Sequence, residues 1–240
     1  MGDLIMFGEI VQEFLAVDSK CKISKSGNGK NFIPRIDLGA ECKFNLRYLS
    51  IDSLAKVLNK NTLIDQVFTK NETHIYYKKD QEVCALVRNL HYVNENGEIK
   101  VSNKPTIKLK SGEIILNSPE FDIPILFRFK RKFWPDNKYY KTLLMSLPEW
   151  SYLGTFNKTG VDITFWFEDY HFILTFANSS YKNSTISQAE FEVDGYSDIH
   201  NEPNITTLLE LFDKLFNLLP KSFVNKSMKL TKSEWLLESQ

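Results

Sequence analysis

The chain has 240 residues, 42% of them hydrophobic and 13% aromatic, and its 30 basic and 30 acidic side chains give a formal net charge of zero. The apolar content excludes general disorder, and the balanced charge excludes a protein that holds nucleic acid by bulk charge alone. Three cysteines without a CxxC pair favour a reducing compartment. We find no leader pattern and no apolar run of membrane-spanning length, and therefore expect a cytoplasmic protein without a membrane partner.

The N-terminal part of the chain predicts a helix, a strand and a second helix. Residues 3–16 place their apolar side chains at helical spacing. Residues 36–46 alternate with period two, which places Glu41 and Lys43 on the same face of a strand. Residues 51–59 then predict a short helix.

The centre of the chain is dominated by segments rich in β-branched and aromatic residues, which predict strands. These predicted strands cover residues 73–77, 83–92, 106–110, 125–134, 152–156, 161–167 and 170–177. Turn-forming residues separate them at 94–97 and 110–112, and Glu168 with Asp169 predicts a hairpin. A long amphipathic helix follows and ends at Pro220. This order, without βαβ alternation, predicts an α+β fold in which an antiparallel β-barrel carries flanking helices.

A row of carboxylates marks the predicted strand that precedes this helix. Strand alternation places Glu190, Glu192 and Asp194 on one face and apolar side chains on the other. Neighbouring carboxylates repel, and a buried charge must be paired or bound to a metal. Two explanations are open: the face is exposed to water, or a positive group lies in front of it. Carboxylates are the ligands that hard cations such as Mg²⁺ and Mn²⁺ prefer.

Basic side chains form similar rows on other predicted strands. Lys108 and Lys110 share one face, and so do Arg128, Lys130 and Lys132. If the apolar faces pack outward against the helices, the charged faces line a tunnel. Cations in this tunnel would bind a polyanion such as a triphosphate, and carboxylates would hold a divalent metal that neutralises phosphoryl oxygens and orients a water.

Short motifs occur on these segments in a fixed order along the chain. They are Gly39-Ala-Glu41-Cys-Lys43-Phe44, Val83-Cys-Ala-Leu-Val-Arg88, Thr106-Ile-Lys108, Arg128-Phe-Lys130-Arg-Lys132, Glu190-Phe-Glu192 before a long helix, and Lys232-Ser233-Glu-Trp-Leu236-Leu237. Together they resemble the triphosphate tunnel metalloenzymes, the superfamily that includes CYTH-domain phosphatases and tunnel-type RNA 5′-triphosphatases. The resemblance implies a single domain over residues 1–240, with an N-terminal helical extension at 1–35 and a tunnel-like barrel at 36–237.

The resemblance also implies a function. It is the hydrolysis of a triphosphate, which is inorganic, part of a nucleotide or at an RNA 5′ end, with Mg²⁺ or Mn²⁺ as cofactor. The implied metal ligands are Glu41, Glu190 and Glu192, and together with Lys43 they form the implied catalytic set. The implied phosphate-binding residues are Lys43, Arg88, Lys108, Arg128, Lys130 and Lys132.

One position departs from the pattern of the superfamily. Its first strand motif is Glu-x-Glu-x-Lys followed by Phe, and Gly39 replaces the first glutamate of that motif. A missing carboxylate weakens a metal site. Asp37 or Asp194 could compensate for the loss, or the tunnel could bind its ligand without hydrolysing it.

A nuclease is one rival interpretation of the same residues. Nucleases of the Asp…Glu-x-Lys type would use Glu41 and Lys43 with an earlier acid to bind Mg²⁺. In that scheme Glu190 and Glu192 have no role. The importance of the later acidic strand therefore separates a nuclease from a tunnel enzyme.

A module that binds polyphosphate or single-stranded nucleic acid without chemistry is the other alternative. Aromatic side chains near the basic residues 128–141 could form a stacking platform, although aromatic residues also build cores. These residues are Phe133, Trp134, Tyr139, Tyr140, Trp150 and Tyr152. The four histidines show no spacing typical of a zinc site and are expected to be ordinary surface or strand residues.

Overall fold

The computed structural model of the chain describes residues 32–34, 38–46, 51–80, 82–94, 99–102, 105–197, 203–224, 227–228 and 234–236. The predicted helix at residues 3–16, Asp37 and the predicted turn after Asn94 lie outside these residues. Of the predicted N-terminal extension, the structure describes residues 32–34, which form a short strand.

Antiparallel strands make up most of the described chain. In chain order they are β1 (Phe32–Pro34), β2 (Leu38–Asn45), β3 (Leu63–Lys79), β4 (Glu82–Asn94), β5 (Ile99–Ser102), β6 (Thr106–Asn117), β7 (Pro124–Phe133), β8 (Ser151–Phe167), β9 (Tyr170–Tyr181), β10 (Ser184–Ser197) and β11 (Ser227–Met228). Eight of them follow one another in the hydrogen-bonded order β10-β9-β8-β3-β4-β6-β7-β2.

The sheet closes on itself because β2 also pairs with β10, where Glu41 lies opposite Glu192 and Lys43 opposite Glu190. Closure removes the exposed edges that an open sheet would leave for pairing with other chains. The short strands β1, β5 and β11 pair with β10, β4 and β2 outside this ring. The predicted antiparallel barrel is therefore confirmed.

Helices lie against the outside of the barrel, as predicted. Those described are α1 (Ile51–Asn61), α2 (Tyr140–Ser146), α3 (Ile205–Leu218) and α4 (Lys221–Val224). At the start of α3 the side chain of Asn204 accepts a hydrogen bond from the backbone N–H of Thr207 at 2.9 Å, which satisfies one of the free donors of the first turn. The helix ends before Pro220, which cannot continue it. No helix in the described ranges combines the length and the apolar content needed to cross a membrane.

The main hydrophobic core lies between the outer surface of the barrel and helices α1 and α3. Phe44 of β2 makes edge contacts with Phe191 of β10 and with Phe216 of α3, at ring-centroid distances of 6.0 and 6.2 Å. Small barrels commonly fill their interior with apolar side chains. Here most apolar strand faces instead point outward and polar side chains line much of the interior. A smaller apolar cluster that includes Tyr76 and Phe156 borders an internal cavity and packs against His74.

Several strands are longer than the sequence pattern predicts. The two strands predicted at 152–156 and 161–167 are one strand, β8, because β3 and β9 pair with it on both sides. The predicted turn at 110–112 is wrong, because β6 continues through it. Gly112 has a φ of +61° there, and the register to β7 shifts between Ser111 and Ile114, so the turn residues are absorbed as a bulge. The hairpin at Glu168 and Asp169 is confirmed.

Close packing of β8 on β9 gives a test of this fold. A Cβ atom at Gly160 would lie 2.3 Å from the backbone oxygen of Phe176, whereas one at Gly154 would meet the side chain of Leu236 at 3.2 Å. Backbone in a paired strand moves less easily than a side chain. We expect Gly160→Ala to lower the free energy of unfolding by roughly 1–3 kcal/mol, measured by urea denaturation. Gly154→Ala is the matched control and should cost less; an equal or larger loss in the control would contradict this packing.

Candidate functional site

Strand alternation brings charged side chains from many strands into the interior of the barrel. On β10, Phe191 and Val193 are buried in the outer core, while Glu190 and Glu192 line an internal cavity of about 200 Å³. The acidic, basic and histidine residues that line the cavity are Glu41, Lys70, Glu72, His74, Lys108, Lys110, Lys130, Arg131, Lys132, Lys158, Asp162, Glu190 and Glu192. The cavity is therefore an ionic chamber built from opposite charges.

Glu41 is the centre of one ionic cluster, where β2, β7 and β10 meet. Its Oε1 accepts a hydrogen bond from Lys43 Nζ at 2.9 Å and lies 3.3 Å from Arg128 Nη2. Its Oε2 accepts from Lys130 Nζ, also at 2.9 Å. Burial by itself would raise the pKa of Glu41, but the surrounding cations, Lys130 first, hold it well below its usual range. Glu41 is therefore ionised and fully engaged by cations of the chain.

The other two carboxylates of the predicted metal site are also ion-paired. Glu192 Oε1 lies 2.8 Å from Lys130 Nζ, and Glu190 Oε1 lies 3.5 Å from Lys43 Nζ. Arg128 is 4% exposed, and its Nε has no hydrogen-bond partner among the described residues. Arg128 Nη2 also lies 3.1 Å from Glu113 Oε2, so each basic group of this cluster lies within ion-pair distance of at least one carboxylate.

A second ionic cluster lines the cavity from β3, β8 and β9. Lys70 Nζ donates to Asp162 Oδ2 at 2.5 Å, and Thr175 donates to the other oxygen of Asp162 at 2.6 Å. Nearby, Glu72 Oε2 lies 2.5 Å from Nε2 of His74, whose ring stacks on Phe156. Burial is the main cause that lowers the pKa of His74 to about 3, so its ring is neutral at physiological pH.

Two lysines on β6 differ from the other interior cations. Lys108 and Lys110 line the cavity, but neither has a carboxylate within ion-pair distance among the described residues. Burial lowers the pKa of Lys108, with Glu72 opposing and Lys132 adding to the effect. Burial lowers the pKa of Lys110 well below its usual range, against the opposing attraction of Glu41. These half-buried ammonium groups line the cavity without a contacting carboxylate among the residues that the structure describes.

The structure brings together most of the residues that the sequence predicted for the site. Those lining the cavity are Glu41, Lys108, Lys130, Lys132, Glu190 and Glu192. Lys43 and Arg128 lie beside it and contact Glu41. Arg88 is described only by its backbone, which pairs with Thr73. Asp194 does not line the cavity; its Oδ2 lies 3.7 Å from Nδ1 of His171.

The second cluster was not predicted from the sequence. The alternation Lys70-x-Glu72-x-His74-x-Tyr76 on β3 would have indicated it, because these four side chains line the cavity. The predicted strand began only at Thr73, and most of the pattern therefore fell outside it. His74 and His171 are strand residues as expected, but both are buried beside carboxylates.

The predicted aromatic platform is only partly exposed. Tyr140 and Trp150 are buried in a satellite core under α2, and Phe133 packs against that core. Trp134, Tyr139 and Tyr152 are exposed. The nuclease hypothesis depends on an acidic residue that precedes Glu41 in the chain. All acidic residues before Glu41 lie outside the described part of the chain, so the structure does not test this hypothesis.

Comparison with known proteins identifies the fold. No protein-family model matches the chain, and no curated protein matches it in sequence. Among solved structures, the Mimivirus capping enzyme triphosphatase superposes with a TM-score of 0.50 at 13% identity, over 89% of this chain and 96% of that chain. A candidate adenylate cyclase from Vibrio parahaemolyticus gives 0.47 at 12% identity, over 85% and 99%. The PH1012 protein of Pyrococcus horikoshii gives 0.47 at 11% identity, over 82% and 98%.

The closed eight-stranded barrel with a charged interior is the triphosphate tunnel fold. This likeness is one of architecture, since identities of 11–13% carry no residue-level equivalence by themselves. The resemblance seen in the sequence motifs is thereby supported at the level of the fold. The roles of individual residues remain predictions.

The buried position of His74 gives a test of the interior geometry. A ring with a pKa near 3 binds no proton as the pH falls from 8 to 5, whereas an ordinary histidine titrates near 6.5. We expect the ring-proton NMR shifts of His74 to stay constant across this range, with assignment by the His74→Gln variant. A titration midpoint above pH 5.5 would show that water reaches this ring freely. Below pH 6.5 the unfolded chain protonates His74, whereas the native chain does not until the pH approaches 3. The contribution of His74 to the free energy of unfolding therefore decreases as the pH falls.

Proposed function

We propose that the tunnel binds a triphosphate group, either free or at the end of a nucleoside triphosphate or an RNA. The observation that carries this proposal is the pair Lys108 and Lys110, two cavity cations without a contacting carboxylate in the described chain. A ligand with several anionic oxygens would supply both with charged acceptors at once. The triphosphatase among the structures of the same fold is consistent with this proposal.

The size of the cavity supports recognition of the phosphate chain rather than of the group attached to it. Pockets for drug-sized ligands are typically about 300–1,000 Å³, and this cavity has about 200 Å³. A chain of phosphates suits that space, and a nucleoside or RNA would remain outside. Lys132 and Arg131 line the cavity and are themselves exposed. They would attract the polyanion from solution.

Removing either free cation tests the proposed binding. We expect Lys108→Gln and Lys110→Gln each to weaken the binding of inorganic tripolyphosphate about tenfold or more, because each loses a charge-assisted hydrogen bond. Isothermal titration calorimetry at fixed salt measures the change. Lys56→Gln is the control, since it removes the same charge from the exposed surface of α1. Equal affinities in all three variants would refute the role of the cavity.

Metal-dependent hydrolysis of the triphosphate is the second candidate function. It is favoured by Glu41, Glu190 and Glu192, which line one cavity from the paired strands β2 and β10, since Mg²⁺ and Mn²⁺ prefer carboxylate oxygens. As placed, however, each of these carboxylates is engaged by Lys43 or Lys130. In the described residues no group of three or more acidic, histidine or cysteine side chains is arranged to hold a metal. The present arrangement therefore does not fit a divalent cation.

A substrate panel separates the two candidates. Inorganic tripolyphosphate, ATP and RNA with a 5′-triphosphate are each incubated with Mg²⁺, Mn²⁺ or EDTA, and released phosphate is measured. The hydrolytic candidate predicts release that Glu190→Ala or Glu192→Ala abolishes, with circular dichroism confirming that both variants fold. The binding candidate predicts no release above the protein-free control.

The same panel tests the two rival interpretations. Cleavage of internal phosphodiester bonds of the RNA would support the nuclease. RNA binding that tripolyphosphate does not compete away would indicate the exposed aromatic side chains Trp134, Tyr139 and Tyr152 rather than the tunnel.

A further inference from the structure

The side chain of Lys130 occupies the space that a side chain at position 39 would need. A Cβ atom built on Gly39 would lie 2.4 Å from both Cδ and Cε of Lys130 and 2.9 Å from its Cγ. Carbon atoms in contact are normally about 3.5–4.0 Å apart. The lysine stem therefore crosses directly over the backbone of β2, and this path exists only because residue 39 has no side chain.

The ammonium group at the end of this stem lies between two carboxylates. Its distances are 2.9 Å to Glu41 Oε2 and 2.8 Å to Glu192 Oε1. Glu41 and Glu192 are register partners on the neighbouring strands β2 and β10, so their side chains point into the barrel from adjacent positions. Two such carboxylates repel each other unless a cation lies between them. Lys130 supplies that cation from within the chain.

The charged state of Lys130 is consistent with this position. Burial acts to lower the pKa of its ammonium group, but Glu192 and Glu41 outweigh burial and raise the pKa above its ordinary value. The absence of a side chain at position 39 and the path of Lys130 across it thus act together. Position 39 contributes no carboxylate to the cluster, and Lys130 places a positive charge between Glu41 and Glu192.

We propose that the ammonium group of Lys130 substitutes for a divalent cation between Glu41 and Glu192, so that the tunnel recognises its triphosphate ligand without a metal and does not hydrolyse it. The substitution itself follows from the placement of Lys130 alone, and the statement about the ligand rests on the proposed triphosphate binding. Lys108 and Lys110 line the same cavity as Lys130, and with Lys130 engaged by Glu41 and Glu192 they would be the cationic ligands of the polyanion. The protein would then act as a receptor for triphosphate ends, and the hydrolytic candidate is excluded if this is correct.

The substitution is tested by Mn²⁺ binding in the absence of any phosphate, followed by electron paramagnetic resonance of free Mn²⁺. We expect wild-type protein to bind Mn²⁺ at these carboxylates at least about tenfold more weakly than Lys130→Met does, because the substitution removes the cation that lies between Glu41 and Glu192 and leaves Glu192 without an ion pair among the described residues. Lys132→Met is the matched control, since it removes one positive charge from the same strand but makes no ion pair with Glu41 or Glu192. Adding Glu192→Gln to Lys130→Met should remove the gained site.

Two further measurements keep the test decisive if Lys130→Met unfolds. Wild-type protein should bind tripolyphosphate in EDTA without any added metal ion, and should release no phosphate from it in Mg²⁺. Tight Mn²⁺ binding by wild-type protein that Glu192→Gln abolishes, or Mg²⁺-dependent phosphate release, would overturn the inference. Failure to bind tripolyphosphate in both EDTA and Mg²⁺ would instead refute the proposed function. The Mn²⁺ measurement alone would then test whether Lys130 takes the place of a divalent cation.

Discussion

Charge neutralisation inside a closed sheet is the constraint on which this structure depends. The outward faces of the strands pack against the helices in the core that contains Phe44, Phe191 and Phe216. Alternation then forces the remaining side chains into the barrel. Because ionised groups are rarely buried singly, the interior carboxylates lie against polar or cationic partners: Asp162 of β8 contacts Lys70 of β3, whereas Glu72 contacts the His74 ring on its own strand. The register of the strands is therefore fixed by ion pairs on the inside as well as by apolar contacts on the outside.

The interior has two parts with different charge arrangements. Around Glu41 and around Asp162, acids and bases neutralise each other through short contacts. Along β6, the cations Lys108 and Lys110 have no such contact in the described residues. A fold that only needed stability would gain nothing from half-buried lysines without a contacting carboxylate, since partial burial lowers their pKa and disfavours the charged form. Sites where pKa values are displaced in this way are typical of ligand binding.

The absence of a side chain at Gly39 gives a cation access to two carboxylates of the interior. In a barrel, a residue that faces inward is close to side chains from strands on either side, so the loss of one side chain creates a path for another. Lys130 follows that path to Glu41 and Glu192. A catalytic tunnel and a binding tunnel would thus differ mainly in which cation lies between the same two carboxylates, and the architecture of the barrel would be unchanged.

The sequence by itself determined the class of fold and the charged face of most strands. Period-two alternation is a local property. It placed Glu190 and Glu192 on one face of the strand and Phe191 on the other without any knowledge of the barrel. Only the tertiary structure decided which charges meet. The pairing of β2 with β10 joins residues about 150 positions apart in the chain, and no local pattern specifies such a contact. The position of Lys130 over Gly39 and the continuation of β8 through residues 157–160 likewise depend on neighbouring strands, because space and hydrogen-bond partners there come from distant parts of the chain.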